Sequence, residues 1–142
     1  MRLCHPGRVT ELVLDGMNGR RVTLSHAQPP DADEIWSYQV AVQMPEGHLQ
    51  VLVWDSGLDL ARFLRELAEA WRGFDGVKSF QSLEGQLALA CQHDVKGTVE
   101  CMLTLRRPGP PEWILTVAVD FGSGAHLDRI ATDAEEFVRR RG

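Results

Sequence analysis

The sequence predicts an α+β fold, an antiparallel sheet of hairpins with about eight strands and two helices in the order ββββαββββα. Three observations predict it. Most of the chain alternates apolar and polar residues at the two-residue spacing of half-buried strands, and glycine, proline, asparagine and aspartate punctuate the alternation. Two segments switch to helical periodicity. The junctions that lead into them echo each other: Val51-Leu52-Val53-Trp54-Asp55 before Ser56-Gly57, and Val117-Ala118-Val119-Asp120-Phe121 before Gly122-Ser123-Gly124, which suggests two similar halves.

Val9 to Leu14 and Arg21 to His26 form the first hairpin, because Asn18-Gly19 tolerates the positive φ of a tight turn. Gln28 to Asp33 holds Pro29-Pro30 and two acids, which block helix and ladder alike, so it reads as an exposed connection. Ile35 to Met44 places Trp36, Tyr38, Val40 and Val42 on one face, and Pro45-Glu46-Gly47 turns the chain into Leu49 to Trp54. Ser56 is the expected cap of a helix whose wheel gathers Leu60, Phe63, Leu64, Leu67, Ala68, Ala70 and Trp71 on its apolar half. Gly73 ends it. Val77 to Ser82 is the next strand, and Gln86 to Gln92 with Thr98 to Arg106 form a hairpin around Asp94-Val95-Lys96-Gly97. Pro108-Gly109-Pro110-Pro111 is a rigid loop before the last strand, where Trp113, Leu115, Val117 and Val119 face inward. Ser123 is the expected cap of the final helix, with the stripe Leu127, Ile130, Ala131, Ala134, Phe137 and Val138, and Arg139 to Arg141 suit the negative end of its dipole.

The whole chain, 1–142, reads as one domain. A net charge of -5 disfavours nucleic acid as a partner, since its binders need a basic face. No apolar run approaches the roughly 18 residues of a membrane span, and Met1 to Thr10 has no signal-peptide core, so a cytoplasmic protein is expected. Three cysteines, an odd count, read as thiols; Cys91 and Cys101 fall on inward positions of facing strands, where core thiols are favoured as small buried hydrophobes and the parity leaves open whether the two are close enough to pair.

No catalytic constellation emerges. The five histidines have no motif around them, and in His93-Asp94 the neighbours point to opposite faces, so Asp94 shapes its turn instead. Cys4, His5, Cys91, His93 and Cys101 lack the short paired spacing of a zinc site, so no metal is expected. Ser56, Ser79, Ser82 and Ser123 lack a nucleophile elbow, and Gly122-Ser123-Gly124 lacks the further glycines or lysine of a phosphate loop, so neither catalysis nor a cofactor is expected. Trp54 has the parity opposite to Leu49, Val51 and Val53, which places it on the outer face as a candidate interface anchor. Asp31, Asp33 and Glu34 in one loop and Glu66 and Glu69 on the first helix are candidate partner-binding acids, suited to steering a basic protein.

The run from Phe63 to Gly76, with Trp71, Gly73 and Phe74, leads into Phe80-Gln81-Ser82-Leu83-Glu84, then Leu87-Ala88-Leu89, His93-Asp94-Val95-Lys96-Gly97, Val99 and Leu103 to Leu105. This pattern resembles a family of small uncharacterised bacterial domains similar to the WapI-like immunity proteins, in which a helix ending in Trp and Gly precedes a hairpin with an Asp-x-x-Gly turn. The family pattern often carries Trp where Phe80 stands and His where Thr98 stands. The resemblance implies no catalytic residues and structural roles for Trp71, Gly73, Asp94 and Gly97. The resulting expectation is a non-enzymatic protein-binding domain, an immunity protein that covers the active surface of a toxin partner. Two alternatives belong to other classes: a small-molecule-binding domain or enzyme with a pocket between sheet and helix, using His26, His93 or His126, and a homodimeric accessory domain.

Overall fold

The structure is a computed structural model and describes residues 11–28, 35–56, 59–94 and 96–138. Its elements follow the expected order: β1 Glu11–Asp15, β2 Arg21–Gln28, β3 Ile35–Met44, β4 Gly47–Ser56, α1 Asp59–Glu69, β5 Lys78–Gln81, β6 Leu87–His93, β7 Thr98–Arg107, β8 Trp113–Gly122 and α2 Ala125–Phe137. The strands form two four-stranded antiparallel meanders, β1-β2-β3-β4 and β5-β6-β7-β8, each followed by its helix. Val9 and Thr10, expected in the first strand, the connection 29–34 and Arg139 to Arg141 lie outside the described residues.

The repeat extends to the register. Across β3 and β4 the inward column pairs Trp36 with Asp55, Tyr38 with Val53, Val40 with Val51 and Val42 with Leu49. Across β7 and β8 the same column pairs Val99 with Phe121, Cys101 with Val119, Leu103 with Val117 and Leu105 with Leu115. Asp55 therefore stands in the first unit where Phe121 stands in the second. The two units use that position differently. Asp55 is buried at 2% exposure, and its Oδ2 accepts the Tyr38 hydroxyl at 3.1 Å and the Leu60 amide at 3.2 Å, so this carboxylate caps α1. The expected cap, Ser56, has a side chain outside the described residues. At the second junction Gly124 is the N-cap and no side chain caps the helix. Ser123 does not cap α2 as expected; its hydroxyl donates to the Gly97 carbonyl at 2.8 Å and ties the β6–β7 turn to the end of β8.

Alternation buries one face of each sheet, and both inner faces share a continuous core with the two helices. Tyr38 meets Phe137 edge to face at 6.1 Å, and Phe63 packs on Phe80 at 5.9 Å, so each contact joins one unit to the other. The helices pack together, α2 also touching β1 and β8, and α1 touching β4 and β5. Each helix thus straddles a seam between the sheets. Backbone bonds close both seams: the Met17 amide in the β1–β2 turn donates to the Asp120 carbonyl at 2.7 Å, and the Leu83 amide in the β5–β6 turn donates to the Trp54 carbonyl at 3.1 Å. At the first seam, Asn18 and Arg20 both donate to the Ala118 carbonyl.

Two further expectations need correction. Cys91 and Cys101 are not separate thiols: they face each other directly across β6 and β7, with Cα atoms 4.1 Å apart and their sulfurs joined as a disulfide. An inward cysteine on each of two paired strands is brought into reach by the register alone, which composition does not reveal. Trp71, expected on the apolar half of the first helix, is 51% exposed, because α1 ends at Glu69 and the chain turns before the helical period returns that side chain to the core.

A candidate protein-binding surface

Trp54 lies on the outer face of β4, as its parity required, and is 39% exposed. Leu52 precedes it on the same face, and Leu83 arrives from the β5–β6 turn through the seam hydrogen bond to the Trp54 carbonyl. All three side chains are exposed. Ser37, directly opposite Trp54 in the register, has the outer parity but is buried, as a small residue beside a large cross-strand neighbour. The result is a small apolar patch at the junction of the two sheets, held by backbone bonds on both sides. An exposed tryptophan flanked by leucines on a rigid support is the residue type and setting of an interface anchor.

The candidate acids are dispersed. Glu66 and Glu69 are exposed on α1, and Glu66 is held by the Lys78 ammonium at 3.0 Å. Asp31, Asp33 and Glu34 lie outside the described residues. Arg65, between these positions and α2, links the two helices: it donates to Glu135 at 2.9 Å, Asp128 at 2.7 Å and Thr132 at 3.0 Å. Those carboxylates raise its already high pKa further.

The three candidate pocket histidines occupy three separate settings, and two of them are tied to nearby backbone. His26 sits at a register shift in β2 with φ of 55°, its ring beside the Ser25 hydroxyl at 3.0 Å. His93 lies between two carbonyls, with Nδ1 2.6 Å from Asp94 O and Nε2 3.2 Å from Trp71 O, so it staples the α1–β5 link to the β6–β7 turn. The Nδ1 of His126 accepts the Gly122 amide at 2.9 Å and its Nε2 donates to the Asp15 carbonyl at 3.1 Å. Asp15 itself is held below the usual carboxylate range: burial works to raise it, but the hydrogen bond and charge of Arg129 outweigh that. Asp94 shapes its turn as the sequence indicates, accepting the Lys96 amide at 2.7 Å and the Thr98 amide at 2.9 Å. The bonds from Thr98 and Lys96 hold its carboxyl below the usual range, against the smaller effect of burial.

A shallow groove of ≈ 290 Å³ crosses the outer face of the second sheet, opposite the helices, between Ser79, Gln81, Ala88, Ala90, Met102 and Thr104. None of the three histidines lines it. Among the described residues, no group of three or more His, Cys, Asp or Glu side chains is placed to hold a metal, and no helix is long and apolar enough to cross a membrane. Sequence reasoning found Trp54 but missed Leu83 and Met102, because the first sits in a turn and the second gains its neighbours only through the register.

Two antiparallel meanders, two seam-straddling helices and an anchored apolar patch define an α+β domain built from paired ββββα units. Residues 13–141 match the family of unknown function designated DUF6228, and the chain belongs to that family. Comparison with curated proteins and with solved structures returns no match.

Proposed function

We infer that the protein is a non-enzymatic protein-binding domain that meets its partner through the patch of Trp54, Leu52 and Leu83. The observation that carries this reading is Trp54: a large apolar side chain on the outer face, 39% exposed and fixed at a seam that needs only its backbone. The partner chemistry that fits best is a basic protein, since the chain carries a net charge of -5. The resemblance to WapI-like immunity proteins supports a toxin as that partner, neutralised by coverage of its working surface. The pocket reading draws less support, because the three histidines are bonded in three separate places, His26 to the Ser25 hydroxyl, His93 to two carbonyls and His126 to the Gly122 amide and the Asp15 carbonyl.

The test is affinity capture from the native lysate with tagged wild type and tagged Trp54→Ser side by side, at low and high salt. One protein is expected on the wild type in near-stoichiometric amount, released by high salt, and at least about tenfold depleted on the variant, as for an interface anchor. The two proteins should melt alike, since the side chain replaced is not part of the core. Equal retention by both, or none by either, overturns the reading.

A further inference from the structure

The register of the second sheet lays out its outer face as a grid. One row reads Ser79, Ala90, Met102, Ala118, and the next Gln81, Ala88, Thr104, Thr116. These two central rows hold no charge, and the groove of ≈ 290 Å³ runs through them with Met102 exposed at its side. The row beyond, Gln92, Glu100, Asp120, is different. Glu100 and Asp120 stand directly opposite each other on adjacent strands, an arrangement of like charges that costs stability. Among the described residues neither carboxylate meets a cation; Arg20, which reaches the β8 edge, is spent on the Ala118 carbonyl.

We propose that this outer face of β5 to β8 is a second docking surface beside the Trp54 patch, and that its occupant is a partner protein presenting a lysine or arginine between apolar residues. The apolar stem lies across Ala90, Met102 and Ala118, and the cation ends between Glu100 and Asp120. Charge complementarity selects this occupant, because a row of two unpaired carboxylates beside an uncharged groove repels an acidic surface and leaves a neutral one with a desolvated like-charge pair. The dimensions agree: Met102 to Glu100 and Ala118 to Asp120 are each two residues along a strand, about 6.6 Å, within reach of a side chain that buries its stem and keeps its charge at the tip. The face continues into the patch at Leu83, which follows Gln81 by two residues. The proposal rests on the reading of the protein as a protein-binding domain, but it uses none of the residues that define the Trp54 patch.

The probe is an amidated peptide of alternating arginine and leucine, six residues long, titrated into labelled wild-type protein and followed by amide chemical shifts, with the glutamate–leucine peptide as control. Shifts are expected at Ala90, Met102, Ala118, Glu100 and Asp120 with the arginine peptide only, weakened at least tenfold in Glu100→Gln/Asp120→Asn. Both replacements are isosteric, and removing the like-charge pair raises the thermal midpoint, so lost affinity reads the contact and not the fold. Shifts that spread equally over Glu66, Glu69 and Asp133, or affinity unaltered in the double variant, overturn the proposal. So does broadening of the same face with protein concentration alone, which would make a second copy its occupant. If the natural partner is lost by Trp54→Ser but kept by the double variant, this inference falls while the proposed function stands; retention by both removes both.

Discussion

Asp55 and Tyr38 show how one residue pair can define a junction. Burial removes both from water, and the hydroxyl donates to the carboxylate that also caps α1. A buried carboxylate is tolerable only when its acceptors are filled in this way. For Tyr38, burial first and the neighbouring Asp55 charge second raise its pKa well above 10.0, so the folded state holds the phenolic proton more tightly than the unfolded state does. Linkage then fixes the sign: the contribution is fully present below the unfolded value near 10 and is lost as pH rises beyond it. Because Tyr38 is the only tyrosine, absorbance at the tyrosinate band reports it alone. On alkaline titration that band should appear only together with loss of the helical circular-dichroism signal; tyrosinate forming in the folded protein near the ordinary value would refute this account.

At the scale of elements, α1 and α2 are joined by Arg65, whose forked guanidinium holds Glu135 with two donors and reaches Asp128 and Thr132 as well. Lysine keeps the charge but cannot reproduce the fork. Arg65→Lys should lower unfolding free energy by about 1 kcal/mol in urea titrations, with a smaller difference in high salt, since the partners are exposed. A loss that is independent of salt would assign the effect to packing of the stem instead. The elements themselves were legible in the sequence wherever a two-residue alternation ran unbroken, as from Trp36 to Val42 and from Cys101 to Leu105. Junctions were harder to read. Asp55 reads locally as the polar end of a strand, and only the fold shows that its inward parity places it beneath a helix start. Ser123 has the right residue type for a cap and a closer acceptor at Gly97. Trp71 continues a helical wheel that the chain itself does not continue.

Across the whole molecule, the candidate surface was half legible for a similar reason. Parity within one strand finds Trp54, whereas Leu83, Met102 and the Glu100–Asp120 pair acquire meaning only when strands distant in sequence are set in register. The seams that create these neighbours have a precise weak point at Gly16. A Cβ there would lie 2.8 Å from the Val119 side chain and 3.2 Å from the Asp120 backbone nitrogen, and the turn that donates to Asp120 would have to withdraw. Gly16→Ala is therefore expected to cost about 1–3 kcal/mol in chemical denaturation, in the range of overpacking a tight contact, while leaving each meander's own hydrogen bonds in place. An unchanged midpoint would mean that the seam does not contribute to stability.

The same seams have a bearing on how copies of the chain behave when crowded together. A sheet edge with free carbonyls is a template on which a foreign strand can grow, and repeated growth of that kind leads to fibrils. Here Ala118 and Asp120 on the border of β8, and Trp54 on the border of β4, already receive donors from turns of the other meander. Each meander thereby blunts the other's border, and strand-by-strand recruitment is obstructed at both. What stays open to a visitor is the flat of the sheet, so a neighbour is received broadside, where side chains rather than main chain decide who may stay.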